Sequence, residues 1–226
     1  MAHTHYLALT LCVLLLPACR SNPNTALETG SYHSWEGESL PYLIIDHKLG
    51  MGAELSEWVS WYIYDGIQGV ESLPQYQGRY VFVDTLSGTN MDALNQWLEN
   101  YRTIQDFNLL VSARVQERFV LGAGGNVDAV YGRFYEQAIR GVTDALYRDV
   151  LREDDYWLLK QYLPGEEEEA KEDEYTMLLL ISIDRRSLET QLLGILTAYQ
   201  SSGRPSRDQG TAISRLIDTF FQGGRF

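Results

Sequence analysis

Side chains able to attack, shuttle protons or bind metals near neutral pH are scarce in this chain. Of its four histidines, His3 and His5 lie in an apolar N-terminal run and His33 in a polar stretch. Only His47, in Ile45-Asp46-His47-Lys48, falls in a segment expected to fold. A carboxylate can orient a histidine as general base, and Asp46 is its neighbour, but no G-x-S-x-G elbow or third group completes a triad. His47 therefore reads as a partly exposed polar residue at a strand end. Both cysteines, Cys12 and Cys19, precede the folding segment, so that segment can hold no disulfide, thiolate zinc site or thiol nucleophile. The cluster Gly122-Ala123-Gly124-Gly125 sits before a helical pattern as a phosphate loop would. It lacks the Gly-Lys-Ser/Thr ending and follows a helix-like rather than a strand-like stretch, so it reads as a helix break. The acidic run Glu166–Glu174 lacks the alternating Asp/Asn ligands and central glycine of a calcium loop. It reads as a solvated connection, with weak nonspecific cation binding as the alternative. Asp154-Asp155 carries no glycosidase signal. No catalytic, cofactor-binding or metal residue is assigned, and the expectation is a protein that is not an enzyme and uses no cofactor.

The rest of the chain must fold around this thin chemistry. Its 226 residues carry 18 Lys and Arg against 31 Asp and Glu, a formal charge of −13. Seven of those acids, with one lysine, lie in Glu166–Glu174. Such a balance excludes phosphate-driven nucleic-acid binding and electrostatic docking on anionic lipid. With 45% hydrophobic and 12% aromatic residues there is core material for one domain with appendages.

Periodicity places the elements. Tyr42–Ile45 is a short strand; Met51, Leu55, Trp58, Val59 and Tyr62 have helical spacing; Gly66–Gly78 reads as loop. Tyr80–Asp84 is a strand ending in the turn Ser87-Gly88-Thr89-Asn90. A long helix follows from Met91 toward Phe119, and a second, capped by Asn126, runs through Val127, Phe134, Ala138 and Val142 toward Val150. The period then switches to two over Tyr156–Leu163 and Tyr175–Ile183, whose odd residues form one apolar face. Asp184 caps a helix through Leu188, Leu192, Ile195 and Tyr199. After the Pro205 linker comes an amphipathic helix through Ile213, Leu216, Ile217, Phe220 and Phe221, which either completes the core or docks in a partner groove. The fold class is α+β: a small antiparallel sheet packed by two to four helices, in the order β-α-α-β-β-α plus a terminal helix.

Residues 1–18 contain no Asp, Glu, Lys or Arg, and Tyr6–Leu16 is an apolar run broken only by Thr10. It is shorter than the ~20 residues a bilayer-spanning helix needs and suits the apolar region of a secretory signal. It closes in Leu16-Pro17-Ala18-Cys19, which resembles the lipobox of bacterial lipoproteins. That resemblance implies cleavage before Cys19, diacylglycerol on its thiol and a fatty acyl chain such as palmitate on its new amine. The membrane would then be held through the N-terminal lipid, with the outer membrane preferred because Arg20 rather than aspartate follows. An ordinary cleaved signal with an incidental cysteine is the other reading. The expected organisation is 1–18 signal peptide, 19–39 lipidated tether, 40–200 α+β domain, and 201–226 linker with C-terminal amphipathic helix.

Trp58-Val59, the strand and turn of Tyr80–Asn90, Ser112-Ala113-Arg114 in a long helix, and Tyr175–Ile183 followed by Asp184-Arg185-Arg186-Ser187-Leu188 resemble the LPP-twenty type of small bacterial lipoprotein, spirochaetal relatives included. The resemblance implies a non-enzymatic lipoprotein of the bacterial envelope, exposed to the periplasm or the cell surface, with an envelope protein as its unknown partner. An activator or adaptor for cell-wall or flagellar machinery is the alternative. A tether of about 20 residues would reach no more than roughly 70 Å when fully extended, short for an activator of inner-membrane synthases. An unrecognised hydrolase centred on His47 is the third reading.

Overall fold

The stretch Glu174–Asp184 sets the architecture, because it is apolar at both parities and must be covered on both faces. In the computed structural model, which describes residues 34–35, 38–163, 172–202 and 204–219, this stretch is the inner strand β6. Cys19, residues 1–33, the acidic positions 164–171, and Phe220 and Phe221 lie outside the described residues. A two-residue ladder joins β1 (Ser34–Trp35) to β2 (Glu38–Ser39). The main sheet contains β3 (Tyr42–His47), β4 (Arg79–Gly88), β5 (Val150–Tyr162) and β6, in the order β3-β5-β6-β4, every pair antiparallel.

Seven helices among the described residues flank the sheet: α1 (Glu57–Glu71), α2 (Met91–Asn100), α3 (Thr103–Gly122), α4 (Val127–Tyr131), α5 (Arg133–Thr143), α6 (Arg185–Ser202) and α7 (Arg207–Thr219). The odd residues Leu179, Ile181 and Ile183 of β6, with Tyr80 and Phe82 of β4, face α3, α5, α6 and α7 in the larger core. The even residues Leu178 and Leu180, with Val81, Tyr156 and Leu158, face α1 and the 3₁₀ turn Pro74–Tyr76 in a smaller core. Each fully buried Leu, Ile or Phe contributes roughly 1.5–3 kcal/mol, so both faces of β6 count. The α+β class, the antiparallel sheet and the order of elements along the chain agree with the sequence reading. Ile213 and Leu216 of α7 are buried in the larger core, so the described part of the terminal helix completes that core.

The helix count exceeds the expected two to four because the long periodic stretches are interrupted. The Met91–Phe119 pattern breaks at Tyr101 and Arg102, which have extended ψ. The Asn126–Val150 pattern breaks at Gly132, whose φ of 55° is open to glycine, and ends at Thr143; Leu146 is exposed and Val150 opens β5. Of the segment expected as loop, Gly66–Gly78, the part Gly66–Glu71 is instead the second half of α1, kinked at Asp65-Gly66 and held to the sheet by buried Val70, while the remainder is turn around the 3₁₀ turn Pro74–Tyr76.

Two β-bulges control which side chains enter which core. The register between β5 and β6 shifts between Arg152 and Asp154. Val150 accordingly packs on the larger core, while Tyr156, of the same parity, lies in the smaller one. A second shift, between Ile44 and Asp46 of β3, does the same for His47, which lies opposite Leu158 rather than on the outer face.

Candidate functional site

His47 is buried, at 6% exposure, which corrects the expectation of a partly exposed residue; the bulge at Ile45 is the cause. Its Nε2 is 3.1 Å from the Ala53 carbonyl oxygen, its Nδ1 2.6 Å from the Tyr156 hydroxyl. A carbonyl only accepts, so Nε2 donates, and in the neutral imidazole Nδ1 accepts from Tyr156. Both ring nitrogens are thus committed to holding the loop after β3 against β5. The neighbouring Asp154-Asp155 pair is committed as well. Trp58 Nε1 donates to Asp154 Oδ2 at 2.9 Å, and Lys48 Nζ donates to Asp155 Oδ2 at 2.9 Å. Arg152 adds an ion pair to Asp155 at 3.4 Å.

The glycine cluster closes α3. Gly125 N donates to Val120 O and Gly124 N to Leu121 O, with Gly124 at φ 57°, the paired bonds of a Schellman helix end. These N–H groups therefore face the carbonyls of their own helix rather than a phosphate.

An ion pair unmarked by any sequence motif lies at the edge of the sheet. Glu71 ends α1 on one side of β4, Arg114 projects from α3 on the other, and their charges are 3.9 Å apart with both side chains largely buried. Between them is Val81, whose N–H donates to Glu71 Oε1 at 3.2 Å and whose carbonyl accepts from Arg114 Nη2 at 2.5 Å. The guanidinium also lies 4.0 Å from the centroid of Phe82. Burial lowers the Arg114 pKa to about 10, with the Glu71 charge opposing the shift. Arg114 is therefore still a cation at neutral pH.

A concave space lies where the first long helical pattern breaks. Asn90 caps α2 through its side-chain oxygen, accepting from Asp92 N at 2.9 Å and Ala93 N at 3.2 Å. The capped helix puts Ala93, Gln96, Trp97 and Asn100 along one side at three-to-four spacing. At the break, Asp106 Oδ2 accepts from Arg102 N at 2.7 Å and starts α3, which brings Leu109 and Leu110 to the opposite wall. Asp84 of β4 also lines it, and the space, open to solvent on one side, is ≈ 620 Å³, within the usual range of ligand pockets. Trp97 and Tyr101 meet edge to face, their ring centroids 5.4 Å apart. Burial pushes the Tyr101 phenol well above its ordinary range, and the adjacent Asp84 carboxylate and the Asp106 charge push it the same way. The pocket is thus aromatic-walled and electronegative. Sequence reasoning missed it; the available signal was the i, i+4 pair Trp97 and Tyr101 between two aspartates.

Among the described residues no group of three or more His, Cys, Asp or Glu is placed to hold a metal ion. No family model, curated protein or solved structure matches this chain significantly.

Proposed function

We propose that this chain is an envelope lipoprotein, anchored by acyl chains on Cys19 and presenting its α+β domain for protein interaction rather than catalysis. The observation that carries the reading is the uncharged apolar run of residues 1–18 meeting Leu16-Pro17-Ala18-Cys19, followed by the polar stretch Arg20–Ser39. Each buried methylene of an acyl chain contributes about 0.8 kcal/mol, so two or three chains hold a protein to a bilayer where one does not. The mode of attachment also suits the charge, since −13 repels anionic headgroups. Among the described residues no helix is long and apolar enough to cross a membrane. The non-catalytic half of the proposal is supported by the engagement of His47, Asp154 and Asp155 with structural partners.

The test is expression of the full chain in a bacterium fed labelled palmitate. The wild-type chain is expected to take up label and to sediment with membranes, and Cys19→Ala to do neither. A Cys19→Ala chain that still carries label, or a wild-type chain that carries none, overturns the anchor.

A further inference from the structure

We propose that the cavity between α2, α3 and β4 binds an organic cation, an ammonium or guanidinium group on a short aliphatic stem. The inference is independent of the lipid anchor and rests on two carboxylates that line the cavity without a paired cation. Each aspartate has one oxygen committed to backbone, Asp84 Oδ1 to Thr85 N at 2.9 Å and Asp106 Oδ2 to Arg102 N at 2.7 Å. Asp84 also accepts from the neutral Tyr101 phenol, yet neither carboxylate has an ion pair among the described residues. Nearby cations are engaged elsewhere: Arg102 Nη1 donates to Gln105 Oε1 at 2.9 Å, and Arg152 to Leu98 O and Asp155.

Two carboxylates around ≈ 620 Å³ of space select positive charge and disfavour an anion. The rings of Trp97 and Tyr101 add a second preference for cations, because their faces carry negative quadrupole density. Leu109, 62% exposed, and Leu110 give an apolar wall for an alkyl stem. A metal ion does not fit as well, since two carboxylates beside two aromatic rings offer too few hard oxygen ligands.

The cation has two possible sources, a free alkylamine or a basic side chain of a partner protein. Isothermal titration of the full chain with agmatine and, separately, with the capped tripeptide acetyl-Gly-Arg-Gly-amide distinguishes them. Saturable one-site binding is expected, about tenfold weaker in Asp84→Asn and in Asp106→Asn. Trp97→Leu is expected to weaken it severalfold. Asp92→Asn removes the same charge outside the cavity and is expected to leave affinity unchanged, which separates the pocket from general attraction to an acidic protein. Binding of the peptide as tightly as agmatine assigns the site to a partner's side chain; binding of agmatine alone assigns it to a free amine. No saturation by about 10 mM of either probe, or equal weakening by Asp92→Asn and Asp84→Asn in chains with wild-type circular dichroism, overturns the proposal.

Discussion

At the scale of single residues, polar groups in this protein hold elements together more than they stand ready to react. His47 bridges the Ala53 carbonyl and the buried Tyr156 hydroxyl, so its removal unties a loop from the sheet rather than from a substrate. His47→Ala is expected to cost about 2–3 kcal/mol, from the lost imidazole volume and the acceptor lost to the Tyr156 hydroxyl, read as a lower urea midpoint with unchanged m-value. Arg114 and Glu71 make a sharper case. Arg114→Met leaves a buried carboxylate and the Val81 carbonyl without this cation, and about 3–5 kcal/mol is expected to be lost. In a double-mutant cycle, Glu71→Gln is expected to cost less in the Arg114→Met background than alone, because the charge it removes is no longer paired there.

At the scale of elements, close approach replaces side-chain bulk between α5 and α6. A Cβ placed on Gly141 would lie 2.2 Å from Tyr199 Cε2 and 3.0 Å from Ile195 Cγ2. Gly141→Ala is expected to destabilise by about 1–3 kcal/mol despite alanine's better helix propensity, and Tyr199→Leu in the same chain is expected to recover part of it. Thermal denaturation of the two variants checks both signs. The same scale explains what the sequence made legible. The apolar odd-numbered face of β6 and the caps Asn90, Asn126 and Asp184 are local signals, and the strand and helix starts they mark are where the pattern placed them. The phase change at a bulge is not local. A reader following alternation through Ile45 puts His47 outside, and one following it back from Tyr156 loses Val150–Asp155. The pocket was hidden for a related reason: helical spacing continues across Tyr101 and Arg102 although the helix does not, so Asp84 and Asp106 come together only through the break.

At the scale of the whole molecule, burial of phenols gives stability a definite upper pH limit. Tyr80, Tyr101 and Tyr147 all have raised pKa values, with burial the first cause in each and the Glu189 and Asp84 carboxylates adding to it for the first two. An unfolded tyrosine ionises near pH 10, so above that value the unfolded chain binds fewer protons than the folded one. The contribution is therefore fully present below about pH 10 and is lost as pH rises toward the folded values. Arg114, lowered to about 10, works in the opposite sense, the folded chain losing its proton first. Three phenols outweigh one guanidinium, and the expected result is unfolding between about pH 10 and 12 that coincides with the ultraviolet signal of tyrosinate formation. Ionisation complete before any loss of circular dichroism would contradict it.

The side chains around Val81 also bear on what the molecule does in a crowd. The outer strand of an open sheet is a template on which another extended chain can grow, because its outward N–H and C=O groups seek partners. At Val81 one carboxylate and one guanidinium already fill those positions, as a fifth strand would. Intermolecular strand pairing at that point must first break a shielded ion pair, which puts a barrier in front of polymerisation. Loss of Arg114 would therefore register in the rate of fibril or oligomer growth as well as in the midpoint of unfolding.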